Sequence, residues 1–145
     1  MPSVRRSRAL AAAPEVVWEL VADPHHLPRW WPNTRRVEAV DAQGWTSVLA
    51  TERGKPVRAD YRVLRSERPL ARAWAQELDG SPFERILNEA VTELELAPDG
   101  DGTRVTLVMR QRLRGLSRLG GFMVRRATAR QLDEALDGLE RACAR

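Results

Sequence analysis

The sequence contains a single cysteine, Cys143, so no disulfide can form within the chain and no cysteine-based zinc site is available. Its two histidines, His25 and His26, are adjacent. That is not the i, i+4 spacing of a helical metal pair, and it confines both imidazoles to one turn, which leaves no Ser-His-Asp set. No apolar run reaches the ~18 residues of a membrane span, and the basic start at Arg5, Arg6 and Arg8 leads only into the short stretch 9–13, not into a signal-peptide core. There is no glycine-rich phosphate loop, no internal repeat and no low-complexity linker. Lysine occurs once, at Lys55, so 23 of the 24 basic residues are arginine, and the pI near 10.4 reflects that bias more than the net charge of +4. These absences exclude a disulfide scaffold, a membrane-spanning chain and a P-loop enzyme. They point to a cytoplasmic protein with no metal and no cofactor.

What is present suffices for one core. A chain of 145 residues with 43% hydrophobic side chains buries roughly two-thirds of its unfolded surface, and residues 1–145 are read as one domain. Turn signals at 41–44, 53–56, 67–69, 79–82 and 98–102 recur at intervals that suit short hairpin connections. They predict six antiparallel strands near 34–40, 46–53, 56–66, 70–78, 84–96 and 103–113, after a first strand over 4–10. Pro14 opens a short amphipathic helix over 14–22 that stops at Asp23-Pro24, and 25–31 reads as a second, proline-broken turn of helix. A long helix begins near Leu116 or at Phe122 and runs to 144, with Leu132, Leu136, Leu139 and Cys143 as its apolar stripe.

Strand alternation sorts the inner face from the outer. Val105, Leu107, Met109, Gln111 and Leu113 alternate with Arg104, Thr106, Val108, Arg110 and Arg112, which places the arginines in solvent. The same test sends Ile86, Asn88, Ala90, Thr92, Leu94 and Leu96 inward, with Val57, Ala59, Tyr61, Val63, Trp74, Gln76 and Leu78. Glu93 and Glu95 then face arginines of the neighbouring strand. Trp18 is assigned to the core, and Trp45, after the Gly44 turn, to a cap over the sheet edge.

The blocks Ala13-Pro14-Glu15-Val16-Val17-Trp18-Glu19-Leu20-Val21-Ala22-Asp23, Leu27-Pro28-Arg29-Trp30-Trp31-Pro32 and Gly102-Thr103-Arg104-Val105-Thr106-Leu107 give the chain a resemblance, over essentially its whole length, to the START-related helix-grip superfamily (SRPBCC), in its polyketide cyclase/dehydrase and lipid-transport branch. The resemblance implies an α+β helix-grip fold. In such a fold a seven-stranded antiparallel sheet would wrap around the long C-terminal helix, with two short helices between strands 1 and 2 and a ligand cavity between sheet and helix. These motifs are packing residues and carry no chemistry of their own.

A ligand in such a cavity would meet Trp30 or Trp31 at one end and an inner face of Tyr61, Trp74, Gln76, Asn88, Met109 and Gln111, which mixes aromatics with neutral polar groups. Phe122 and Arg126, with Met123 and Ala129, would form the roof, and Gly120-Gly121 either a hinge or a plain junction. Arg6 or Arg8 enters the cavity, or both lie in water at the sheet margin. Tyr61 is the one candidate catalytic residue, a thin inventory for acid-base chemistry. The arginine run from Arg110 to Arg130, including Arg114 and Arg118, is diluted by acids and lacks interleaved aromatics, so nucleic acid is not expected. The expected function is binding, or transport, of a small hydrophobic or aromatic ligand such as a polyketide or lipid by a monomer or homodimer that does not insert stably into a membrane. The alternative is a polyketide aromatase/cyclase or dehydratase-like enzyme acting on a poly-β-ketone.

Overall fold

The computed structural model describes residues 3–51, 54–81, 83–84, 87–113 and 121–144. Strand β1 (Ser3–Leu10) is followed by helix α1 (Pro14–Val21), a 3₁₀ turn (Pro24–His26) and helix α2 (Leu27–Trp30). Strands β2 (Thr34–Glu38), β3 (Gly44–Leu49), β4 (Val57–Glu67), β5 (Ala71–Glu77), β6 (Leu87–Asp99) and β7 (Gly102–Leu113) come next, and helix α3 (Gly121–Cys143) ends the chain. The strands form one antiparallel sheet in the order β1-β7-β6-β5-β4-β3-β2. β1 and β2 therefore occupy opposite edges, and the segment joining them, with both short helices, must cross one face of the sheet. This is the α+β helix-grip architecture.

Local chemistry explains the boundaries. Pro14 sits in the first turn of α1, where its missing N–H costs nothing, and the Asp23 carboxylate accepts from the His25 backbone N–H at 3.0 Å to start the 3₁₀ turn. Asp41 accepts from the N–H groups of Gln43 and Gly44 (2.8 and 3.0 Å), which closes the turn before β3. β2 stops at Glu38, two residues earlier than the pattern suggests, because the next residue, Ala39, turns left-handed with φ 52°.

The core lies where α3 meets the inner face. Leu132, Ala135, Leu136 and Leu139 of α3 are fully buried against Val17, Leu94, Val105 and Leu107. Trp18 is buried among them, as expected. Arg6 pairs with Asp133 at 3.4 Å, and Arg8 pairs with Asp137 at 2.6 Å and Glu140 at 3.5 Å, so the two arginines pin α3 to β1. On the outer face Glu93 pairs with Arg110 at 3.2 Å, while Glu95 has no ion pair among the described residues. That face is not wholly solvent, since Thr106 and Val108 are buried there.

Two assignments of side chains to the sheet's faces are corrected. Asn88 is exposed and Leu87 is buried instead, because the β6–β7 register shifts between Leu87 and Glu89 and inverts the alternation upstream of the shift. Trp45 is buried on the inner face and caps no edge. Ile86, Arg114, Arg118 and Gly120 lie outside the described residues.

Candidate functional site: an aromatic-walled cavity

The register of the sheet aligns inward residues in rows. Trp45 is opposite Tyr61 and Tyr61 opposite Gln76, a row across β3, β4 and β5. Val63, Trp74, Thr92 and Met109 form a second row across β4 to β7, and Ala90 faces Gln111 in a third. The rings join into one surface. Trp45 stacks on Tyr61 with centroids 5.2 Å apart and planes 16° from parallel, and meets Trp74 edge-on at 5.9 Å. Trp31 reaches the other side of Trp74 at 6.1 Å, and Trp30 touches Trp31 at 5.4 Å. Trp31 is delivered by α2, and the turn into β2 is completed by Asn33 at φ 61°, a conformation Asn tolerates better than most residues.

Between this surface and the first half of α3 is a cavity of about 710 Å³. Trp31, Trp45, Tyr61 and Trp74 wall it, and Thr34, Ser47, Gln76, Thr92 and Gln111 supply uncharged polar groups. Val124, Ala127, Thr128 and Gln131 cover it, and the charged side chains that line it among the described residues are Arg130 and Glu134. Some of the polar groups satisfy one another: the Trp45 indole N–H donates to Ser47 Oγ at 3.0 Å, and the Thr128 hydroxyl donates to Gln111 Oε1 at 2.9 Å. Gln76 Nε2 and Thr34 Oγ1 are buried and have no partner among the described residues.

Burial pushes the Tyr61 phenol from 10.0 up to about 12. It is therefore a neutral hydroxyl, not a phenolate, across the physiological range. The sign of the stability effect follows. Between pH 10 and 12 the unfolded chain gives up this proton and the folded chain keeps it, so Tyr61 makes stability fall as pH rises through that window and changes nothing below it. Urea titrations at pH 8, 10 and 11 on the parent chain and Tyr61→Phe are expected to show the alkaline loss reduced in the variant.

Of the expected ligand contacts, Trp31, Tyr61, Trp74, Gln76, Met109 and Gln111 come together at this cavity. Trp30, Asn88, Phe122 and Arg126 do not. The Trp30 ring is buried in the core, and its backbone packs against Gly138 of α3. Phe122 is 72% exposed, and the Arg126 guanidinium lies 5.9 Å from its ring centroid. Both line an adjoining groove, of about 960 Å³, beside β1, with Arg5, Arg6 and Arg125, which shares Met109, Gln111, Leu113 and Val124 with the aromatic cavity. Arg6 and Arg8 do not line the aromatic cavity. The helical phase explains the error in the roof: at about 100° per residue, Phe122, Arg126 and Ala129 lie on one flank of the Leu132–Leu136–Leu139 stripe and Val124, Ala127 and Gln131 on the other. The stripe fixes which face of α3 is buried, but not which flank overhangs the open part of the sheet. Trp45 was missed, although the alternation Trp45, Ser47, Leu49 contains the signal; the adjacent Gly44 reads as a loop, whereas its lack of a side chain lets β3 lie directly against the Tyr61 backbone.

The family model for polyketide cyclase/dehydrase and lipid transport matches residues 1–144. Among solved structures, a START superfamily protein from Mycobacterium smegmatis superposes with a TM-score of 0.81 at 14% identity, covering 98% of this chain and 97% of that one. TTHA0849 from Thermus thermophilus gives 0.78 at 22% identity, covering 99% and 97%. A conserved protein from Geobacillus kaustophilus gives 0.80 at 17%, covering 99% and 95%. At these identities the likeness is one of fold. No curated protein matches the sequence.

Proposed function

Because the chain belongs to the polyketide cyclase/dehydrase and lipid transport family, we propose that it binds a small apolar or aromatic molecule in the 710 Å³ cavity between the sheet and α3. The observation that carries this reading is a wall of four rings beside uncharged polar atoms that find no partner among the described residues. Most buried polar atoms of a core are paired, the Trp30 indole N–H being the other unpartnered one among the described residues, whereas a pocket for an apolar ligand keeps a few such atoms to orient it. The volume is in the range of ordinary small-molecule sites.

Binding is preferred over catalysis because the cavity is poor in groups that move protons. Burial makes its phenol a weaker acid than a free tyrosine, and its described charges are one arginine and one glutamate a helical turn apart on α3. Tyr61→Phe decides between the two. A binding protein is expected to keep its affinity for an aromatic probe within about threefold, as read by quenching of the tryptophan fluorescence, because one hydroxyl contributes about the energy of a single hydrogen bond. If the parent chain cyclises or dehydrates a poly-β-ketone and Tyr61→Phe loses 10²-fold or more in rate while still binding, the enzyme reading replaces this one.

A further inference from the structure

We propose that the ligand is a neutral, planar ring compound carrying a hydrogen-bond-accepting oxygen, and that the Gln76 side-chain amide donates to that oxygen. The proposal rests on the binding reading above and names the chemical class that the site selects. Three features of the cavity support it. The first is the shape of the aromatic wall: Trp45 and Tyr61 stack nearly parallel, while Trp31 and Trp74 meet edge-on, so flat faces and ring edges are both presented to the space. Flat rings gain more from such a surface than a flexible chain does, since they lose little conformational freedom on binding.

The second is the direction of the unused polarity. Gln76 Nε2 is a donor and cannot accept, and it lies on the cavity in the row Trp45–Tyr61–Gln76, next to the stacked pair. A ligand hydrocarbon would leave it unpaired; a ketone, lactone or amide oxygen would satisfy it. Thr34 Oγ1, also buried without a partner among the described residues, gives the same cavity a second polar point able to donate or accept. The third is charge. A carboxylate drawn inside would need a cationic partner, and the described lining offers only Arg130, with Glu134 one turn further along α3. The interior therefore favours an uncharged acceptor over a fatty acid.

The test uses 9-fluorenone and fluorene, which share a flat skeleton and differ in one carbonyl, with palmitate as the anionic chain. Fluorene is the more apolar of the pair, so burial alone would favour it. Dissociation constants from tryptophan quenching are expected to be about tenfold lower for 9-fluorenone, the size of one hydrogen bond to an otherwise unpaired donor. Gln76→Met, which keeps volume and removes the donor, should erase most of that preference, leave fluorene within twofold, and keep or raise the thermal midpoint. Gln76→Leu is the second variant should the first fail to fold. Equal binding of the two probes by the parent chain, a preference that survives both substitutions, or palmitate binding more tightly than 9-fluorenone would overturn the proposal and leave the binding reading standing. Failure of all three probes to bind would overturn both.

Discussion

Gly138→Ala is expected to destabilise the protein by about 2–4 kcal/mol, lowering the thermal midpoint by roughly 5–12 °C for a chain of this size. The sign is the informative part. Gly138 lies inside the 23-residue helix α3, where alanine in place of glycine ordinarily gains about 1 kcal/mol in helix propensity. Here a Cβ would lie 2.8 Å from the Trp30 Cα and 2.9 Å from its carbonyl carbon, and closer still to the carbonyl oxygen. These are backbone atoms and cannot move away by a rotamer change, so α2 and α3 would have to separate. α2 is only four residues long and carries Trp30 into the core and Trp31 to the cavity wall, so the displacement should also weaken probe binding. Thermal unfolding followed by circular dichroism checks the stability, and 9-fluorenone quenching checks the site. A midpoint equal to or above that of the parent chain would mean that α2 is not held against α3 at Gly138.

The same contact illustrates what a sequence can and cannot reveal about this molecule. Each hairpin was legible because its turn residues are local signals, and the helix-grip order follows once β1 and β2 are placed at opposite edges of the sheet. The inward set on β4, β5 and β7 was legible as well, since Tyr61, Trp74, Gln76, Met109 and Gln111 obey uninterrupted alternation. Asn88 failed because one shift of register inverts parity, and nothing in the residues around 86–89 marks where the shift falls. Trp30 and Trp31 are adjacent and chemically identical; they part company because Trp30 ends α2, its backbone against Gly138 more than a hundred positions away, while Trp31 leaves the helix with an extended backbone. Phe122 and Arg126 are expected over the cavity because they lie on the early part of α3, whereas helical phase puts them on the flank toward β1. Errors of this kind concentrate where a long-range contact sets the outcome.

Trp74→Ala is expected to cost about 3–5 kcal/mol, the usual range for truncating a buried tryptophan, and to weaken 9-fluorenone binding at least tenfold. Trp74 is 4% exposed and sits between Trp31 and Trp45, so its removal takes away the ring that joins the two ends of the aromatic wall. It also enlarges a space that is already about 710 Å³, leaving Trp31 and Trp45 without the edge contacts that hold their orientation. Urea unfolding is expected to show a lower midpoint with an unchanged m-value, and Trp74→Phe, which keeps a ring in place, should fall between the parent chain and the alanine variant. The comparison with Gln76→Met separates two roles that share one wall. Trp74 belongs to the core and to the cavity at once, so stability and affinity should fall together when it is truncated. Gln76 Nε2 is a buried donor with no partner among the described residues, which is a cost to folding and a gain only when a ligand oxygen meets it, so affinity should fall without loss of stability. A Gln76→Met chain that is destabilised as much as Trp74→Ala would show that the amide serves the core, and the case for a ligand carbonyl at that position would fail with it.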